Sequence, residues 1–296
     1  MTEYYIEKLL KERAQALHQR MKDSVSVFHT TLWSFLSRFP SFTDHSMLHS
    51  MDVLEFCNEI IGAGQIRALN AAECYVLIMS CYMHDTGMGI SDRDYQEFSK
   101  EIDFGDYFET HSREDTAAIV RDFHNEFSGC FIRKYARLFE IPEGNIEKAV
   151  IQVSRGHRKT DLYDEAEYPL LETEWGPIDT PYLAAVLRLA DEIDMASDRN
   201  PEFLYKTSNL TRQKDIEAFG VHESIRRVEV QPDRIVFYIR PKAPEFVPLI
   251  ETTAEKIQKT LDYCRNAAAA RSDRRITQEK ITLEMLPDTA AGEQQR

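Results

Sequence analysis

The sequence predicts a mainly α-helical protein that carries one small β-hairpin and a C-terminal helix. Three observations lead there. Long stretches lack Gly and Pro and repeat apolar residues with a helical period. Helix-start signals stand at Asn70-Ala71-Ala72-Glu73 and at Thr180-Pro181. A strand-like run rich in β-branched and aromatic residues occurs once, between Ser224 and Arg240.

The elements follow in order. Residues 3–37 combine long charged and apolar side chains without Gly or Pro, which suits one or two helices. Pro40 ends this N-terminal helical segment, 1–40. A helical core is expected over 41–215. Inside it, the Asn70/Glu73 capping box opens a helix through the apolar run Leu77-Ile78-Met79-Ser80-Cys81-Tyr82-Met83, which reads as buried on all sides. Thr180 as N-cap, with Pro181 at the first helical position, opens another helix that runs through Met195. Ile225–Val230 and Arg234–Ile239 flank Gln231-Pro232-Asp233 as a β-hairpin, and a helix follows over about 246–270. Hairpin and helix form an appendage, 216–286. The polar tail 287–296 is expected to be disordered.

Composition narrows the function classes. The 296 residues are 43% hydrophobic, enough for one large domain or a domain with an appendage. A net charge of −14 opposes non-specific binding to nucleic acid or to an anionic membrane. No run reaches the ~18 apolar residues of a membrane span, and the first residues lack the basic flank and apolar stretch of a signal peptide. Cys57, Cys74, Cys81, Cys130 and Cys264 form no CxxC pair. An odd number without a secretion signal implies reduced thiols in the core and a cytoplasmic location.

The chemistry concentrates where the apolar run ends, at His84-Asp85. Burying an imidazole and a carboxylate without partners is costly. A divalent metal satisfies both, since neutral His nitrogen and carboxylate oxygen are common ligands. Other helices supply candidates. His49 shares a helix face with Val53, Phe56, Cys57 and Ile60. His157 follows Ile146, Val150 and Val153 on the buried face of another helix. His111 precedes Ala118 and Ile119 at +7 and +8, with polar Asp115 at +4. Asp191 continues the face of Ala184 and Leu187. Several inward ionisable groups on separate helices point to a metal centre.

On these residues the chain resembles the HD superfamily of metal-dependent phosphohydrolases, and its expected fold is then an HD-type helical bundle with the hairpin and C-terminal helix appended. The family pattern is a His near the start of one helix, a His-Asp doublet ending another, and a late Asp on a third. Here these are His49 in His49-Ser50-Met51-Asp52-Val53, the doublet His84-Asp85, and Asp191 in Leu189-Ala190-Asp191-Glu192. Order and context match from about residue 42 to 200. The placement of His111 and His157 is similar to that of the six-ligand, binuclear branch.

The resemblance implies that His84 and Asp85 are catalytic and that Asp85 bridges two divalent ions. His49, His84 and Asp191 would complete one site, His111 and His157 the other. With one ion only, those last two would contact substrate phosphate. Mn, Mg, Fe, Ni, Co and Zn are not distinguished. His45 carries His49 rather than an aliphatic residue at +4, so it is assigned to substrate contact or support, not to the metal. Substrate phosphate needs cations, and Arg155, Arg158 and Lys159 flank His157, while Arg113 lies beside His111. Arg188, three residues before Asp191, is expected to act through its neighbours.

Met88 stands where cyclic-dinucleotide phosphodiesterases and several nucleases of the superfamily have Lys, and Gly-Tyr-Pro is absent, which argues against those substrates. The implied activity is hydrolysis of a phosphoester, of a nucleotide or nucleotide-like small molecule, by a metal-activated water. A di-iron oxygenase and a non-catalytic nucleotide-sensing module of the same superfamily are the alternatives. A homo-oligomer formed through the appendage stays open.

Overall fold

The computed structural model describes residues 5–31, 47–196 and 213–287. Among them lie ten α-helices: α1 (Tyr5–Arg13), α2 (Gln15–Thr31), α3 (Met47–Ile66), α4 (Ala71–Met83), α5 (Asp92–Phe98), α6 (Thr116–Tyr135), α7 (Asn145–Arg155), α8 (Thr180–Ile193), α9 (Gln213–Ser224) and α10 (Val247–Arg271). The fold is mainly helical, as the sequence predicts. His45, the boundary at Pro40 and residues 288–296 of the tail lie outside the described residues.

Helix α4 is the axis of the molecule. All of its residues are buried, and α1, α2, α3, α7 and α8 pack around it. A helix apolar on every side has this one stable environment. Its start carries the expected capping box: Asn70 Oδ1 accepts from the Glu73 N–H, and Glu73 Oε2 accepts from the Asn70 N–H, both at 3.0 Å.

Glu73 has a second role that its sequence position does not reveal. Arg274, just past α10, donates to both of its carboxylate oxygens at 2.5 and 2.9 Å. Glu73 is 2% exposed, so removing the arginine leaves a buried charge without its main partner. Arg274→Met is expected to lower unfolding stability by about 3–5 kcal/mol. Urea unfolding checks this, and the double variant Glu73→Gln, Arg274→Met should recover part of the loss. A single-variant loss below about 1 kcal/mol would place the pair among weak surface bridges.

The strands form two sheets. β1 (Leu170–Leu171) pairs antiparallel with β2 (Ile178–Asp179), which leads directly into α8. The cap of α8 is Asp179, one residue earlier than the sequence suggests: its carboxylate accepts from the Tyr182 N–H at 3.3 Å, and Pro181 sits in the first turn. The expected hairpin is β3 (Ile225–Val230) with β4 (Arg234–Ile239), in the register Val228↔Phe237 and with a bulge between Ile225 and Arg227.

A third strand, β5 (Lys280–Met285), joins β4 in parallel, Ile235↔Ile281. The sequence reading does not anticipate it. A parallel pair needs a crossover, and α10 is that crossover. Helix α10 also packs along α8, so the hairpin region is tied to the helix that carries Asp191. Among the described residues no helix is long and apolar enough to cross a membrane, and all five cysteines are free and buried.

Candidate metal centre

Four helices deliver the site. His49 lies in the first turn of α3, and His84 caps the end of α4 with Asp85 immediately after it. Asp191 is in the last turn of α8, and His157 follows the end of α7. A fifth segment, α6, contributes a residue not singled out from the sequence, His124. All four histidines and Asp85 are buried.

The donor atoms fall into two groups, His49 with His84 and Asp191, and Asp85 with His124 and His157. In the first, His49 Nε2 is 3.1 Å from His84 Nε2 and 3.3 Å from Asp191 Oδ1. In the second, His124 Nε2 is 2.8 Å from His157 Nε2. Asp85 reaches both. Its Oδ2 lies 3.5 and 3.4 Å from the Nε2 atoms of His49 and His84, and its Oδ1 lies 3.3 and 3.6 Å from those of His124 and His157.

The ring orientations follow from the other nitrogens. His84 Nδ1 is 2.9 Å from the Cys81 carbonyl, His124 Nδ1 2.7 Å from that of Arg121, and His157 Nδ1 2.6 Å from that of Ser154. A carbonyl can only accept, so each Nδ1 carries the proton. His49 Nδ1 makes the equivalent bond to Asp194 Oδ2 at 2.6 Å. In the neutral rings every Nε2 is then a bare lone pair, and pairs of them face each other across about 3 Å. Such an arrangement is repulsive unless a cation lies among the lone pairs. Histidines held by carbonyls and carboxylates in this way are the usual surroundings of a metal ligand.

Where no cation lies among these nitrogens, the carboxylates draw a proton to the same place instead. Burial would raise the Asp191 carboxyl, but hydrogen bonds from His49 and His84 outweigh it and hold the group well below the usual carboxylate range. Burial disfavours charge on His84, yet Asp85 and Asp191 overcome it and raise that imidazole well above the ordinary value. Burial, reinforced by the His124 and His84 rings, pushes His157 well below the ordinary value. An ionised carboxylate at Asp191 and a neutral imidazole at His157 are donor chemistry suited to a divalent cation. Asp191 keeps 18% of its side chain exposed, against 5% or less for the other five, so the centre opens to solvent on its side.

Why His124 reaches the centre is a matter of close packing. A Cβ on Gly87 would lie 2.2 Å from the His124 carbonyl oxygen and 2.6 Å from the Ser128 nitrogen. Only glycine lets α6 come this near the turn after the doublet. Ser128 Oγ then accepts from the Gly87 N–H at 2.8 Å and donates to the His84 carbonyl at 2.5 Å. The sequence did hold a signal: Val120, Phe127 and Phe131 lie at −4, +3 and +7 from His124, the same apolar face that identified His49 and His157.

The other expected residues divide. His111 is not among the donors. It is exposed in the loop before α6, its ring stacks on Tyr107 with centroids 4.1 Å apart, and its Nδ1 donates to the Tyr107 carbonyl at 3.1 Å. A polar residue at +4 left it without an inward face. Arg113, in the same loop, rests 3.9 Å over the Phe108 ring. Arg155 forms a bidentate pair with Glu126 at 2.9 and 3.0 Å and also meets Glu167, so its charge is engaged in joining α6 and α7. Lys159 Nζ donates to the Asp122 carbonyl at 3.1 Å. Arg158 differs from these: among the described residues no hydrogen bond or ion pair engages its guanidinium, and it directly follows His157.

A family model described as HD-CE matches residues 39–274, which is most of the chain and includes the hairpin and α10. No curated protein and no solved structure matches it. The chain belongs to the HD-CE family and holds an HD-type domain, with buried His and Asp groups able to bind metal ions.

Proposed function

From membership of the HD-CE family and the donor geometry, we propose that this protein is a metal-dependent phosphohydrolase. It hydrolyses a phosphoester of a small nucleotide or nucleotide-like molecule. Six residues hold two divalent ions, with His49, His84 and Asp191 at one, His124 and His157 at the other, and Asp85 shared. The observation that carries this reading is Asp85 itself, which offers one carboxylate oxygen to each of two groups of bare imidazole nitrogens.

When bound, such an ion pair supplies Lewis acidity and a nucleophilic water at neutral pH. The chain's own residues do the rest. Carbonyls behind the imidazoles fix ring orientation, and burial of the other five groups leaves the side of Asp191 as the approach. The unengaged Arg158 beside His157 is the phosphate-binding cation of this proposal, because charge-assisted bonds to phosphate suit guanidinium geometry. Among the cations expected from the sequence, Arg155 is already neutralised by two carboxylates.

A screen with added Mn²⁺ tests the proposal: phosphomonoesters, phosphodiesters and nucleotides as substrates, with metal content measured on the same sample. Phosphate release that depends on metal is the expected result. Two tightly held irons with dioxygen uptake and no phosphate release would instead support an oxygenase. Arg158→Ala should lower kcat/KM by about 10–100-fold, the worth of a hydrogen bond to a charged group. An unchanged kcat/KM removes Arg158 from the substrate site.

A further inference from the structure

Arg188 is a buried cation whose hydrogen bonds, among the described residues, include no carboxylate. It is 8% exposed, on α8, one helical turn before Asp191. Its Nε donates to the Gly156 carbonyl at 2.7 Å, and its Nη2 donates to the Thr160 carbonyl at 2.8 Å and to Thr160 Oγ1 at 3.0 Å. One guanidinium thus closes both ends of the turn 156–160, which contains His157 and Arg158. Tyr263 of α10 lies under it, 5.0 Å from the ring centroid.

That turn needs an external clamp. Lys159 has φ of +51°, a left-handed conformation that non-glycine residues adopt at a cost of about 1–3 kcal/mol. Gly156 rests directly on α8, since a Cβ there would lie 2.6 Å from the Ala184 Cβ. Thr160 Oγ1 is further fixed by the Tyr168 hydroxyl at 2.6 Å. The His157 ring is therefore placed by a turn whose shape α8 imposes from outside.

We infer that Arg188 is a positioning residue for the second donor group: from the helix that carries Asp191, it holds the turn that sets His157 against Asp85 and His124. The two groups are linked through α8 as well as through Asp85. The inference rests on the binuclear reading above. Arginine is required for a geometric reason. Its rigid fork spans two carbonyls that belong to different ends of the turn, which the single ammonium of lysine does not reproduce.

The test is Mn²⁺ binding by equilibrium dialysis on the full chain, comparing wild type with Arg188→Met, Arg188→Lys and Thr160→Val. Wild type is expected to take two equivalents. Arg188→Met should weaken the second by about 10–100-fold, as loss of support behind a ligand does, while the first changes by less than about threefold. Arg188→Lys should fall between. A role confined to stability predicts something else, a lower melting temperature with both equivalents weakened together, and that result overturns the inference, as does full retention of both. Should Arg188→Met not fold, Thr160→Val decides: it keeps the side-chain shape, removes one acceptor, and should weaken the second equivalent alone, whereas an unchanged second equivalent overturns the inference. A wild type that takes up no second equivalent overturns the binuclear reading and this inference with it.

Discussion

Asp85→Ala is expected to lose both metal equivalents and to lower kcat by about a thousandfold or more, while the helical bundle stays folded. Among the described residues, Asp85 alone offers an atom to each donor group. Without it one group keeps three donors, the other two imidazoles. An ion pair contributes several kcal/mol of transition-state stabilisation, and each 1.36 kcal/mol is about tenfold in rate. The fold should tolerate the change, because Asp85 lies among imidazoles outside the apolar packing of α4. Asp191 still faces the His49 and His84 rings, and an imidazole that loses its carboxylate can go neutral, so no unpaired charge is left buried. Far-UV circular dichroism, metal content and phosphate release on one sample check all three expectations. Activity that survives in this variant would move the site elsewhere.

His124→Ala and His111→Ala separate two ligand sets that the sequence alone could not order. His124→Ala should lose the second metal equivalent and lower kcat/KM by about 100-fold, within the range for losing metal support. His111→Ala should stay within about twofold of wild type, as exposed substitutions away from a site do. His111 contacts Tyr107 and Thr110 on the surface, whereas His124 Nε2 is 2.8 Å from His157 Nε2. The opposite pattern, with His111 essential and His124 dispensable, would refute the donor set.

His49, His84, Asp85, His157 and Asp191 were legible because each lies on or at the end of a long helix, where an apolar stripe fixes which way the side chain points. His124 satisfies the same periodicity, so its inward direction is written in the sequence too, although its neighbours at the centre are not. His111 was favoured by Ala118 and Ile119 at +7 and +8 and by its position between the doublet and the last aspartate, against the polar Asp115 at +4. Its loop has no period, and nothing local says where it packs. The capping box of α4 and the hairpin were legible for a similar reason, since both depend on residues within a few positions of each other.

The cations behaved otherwise. Arg155, Arg158 and Lys159 are near neighbours in the chain and look alike there. Their difference comes from carboxylates and carbonyls far away in sequence, Glu126 for Arg155 and the Asp122 carbonyl for Lys159. The pairing of β5 with β4 and the bond from Arg274 to Glu73 are likewise long-range.

By itself, then, the sequence determined a mainly helical chain and the inward face of most of the groups that can bind metal, because helical period and capping are written in short windows. The tertiary structure decided that Asp85 faces two groups rather than one, that His124 joins them through the close approach allowed by Gly87, and that Arg188 shapes the turn carrying His157. Those outcomes depend on which helices touch, and helix contacts are fixed by packing between segments tens of residues apart, not by any local pattern.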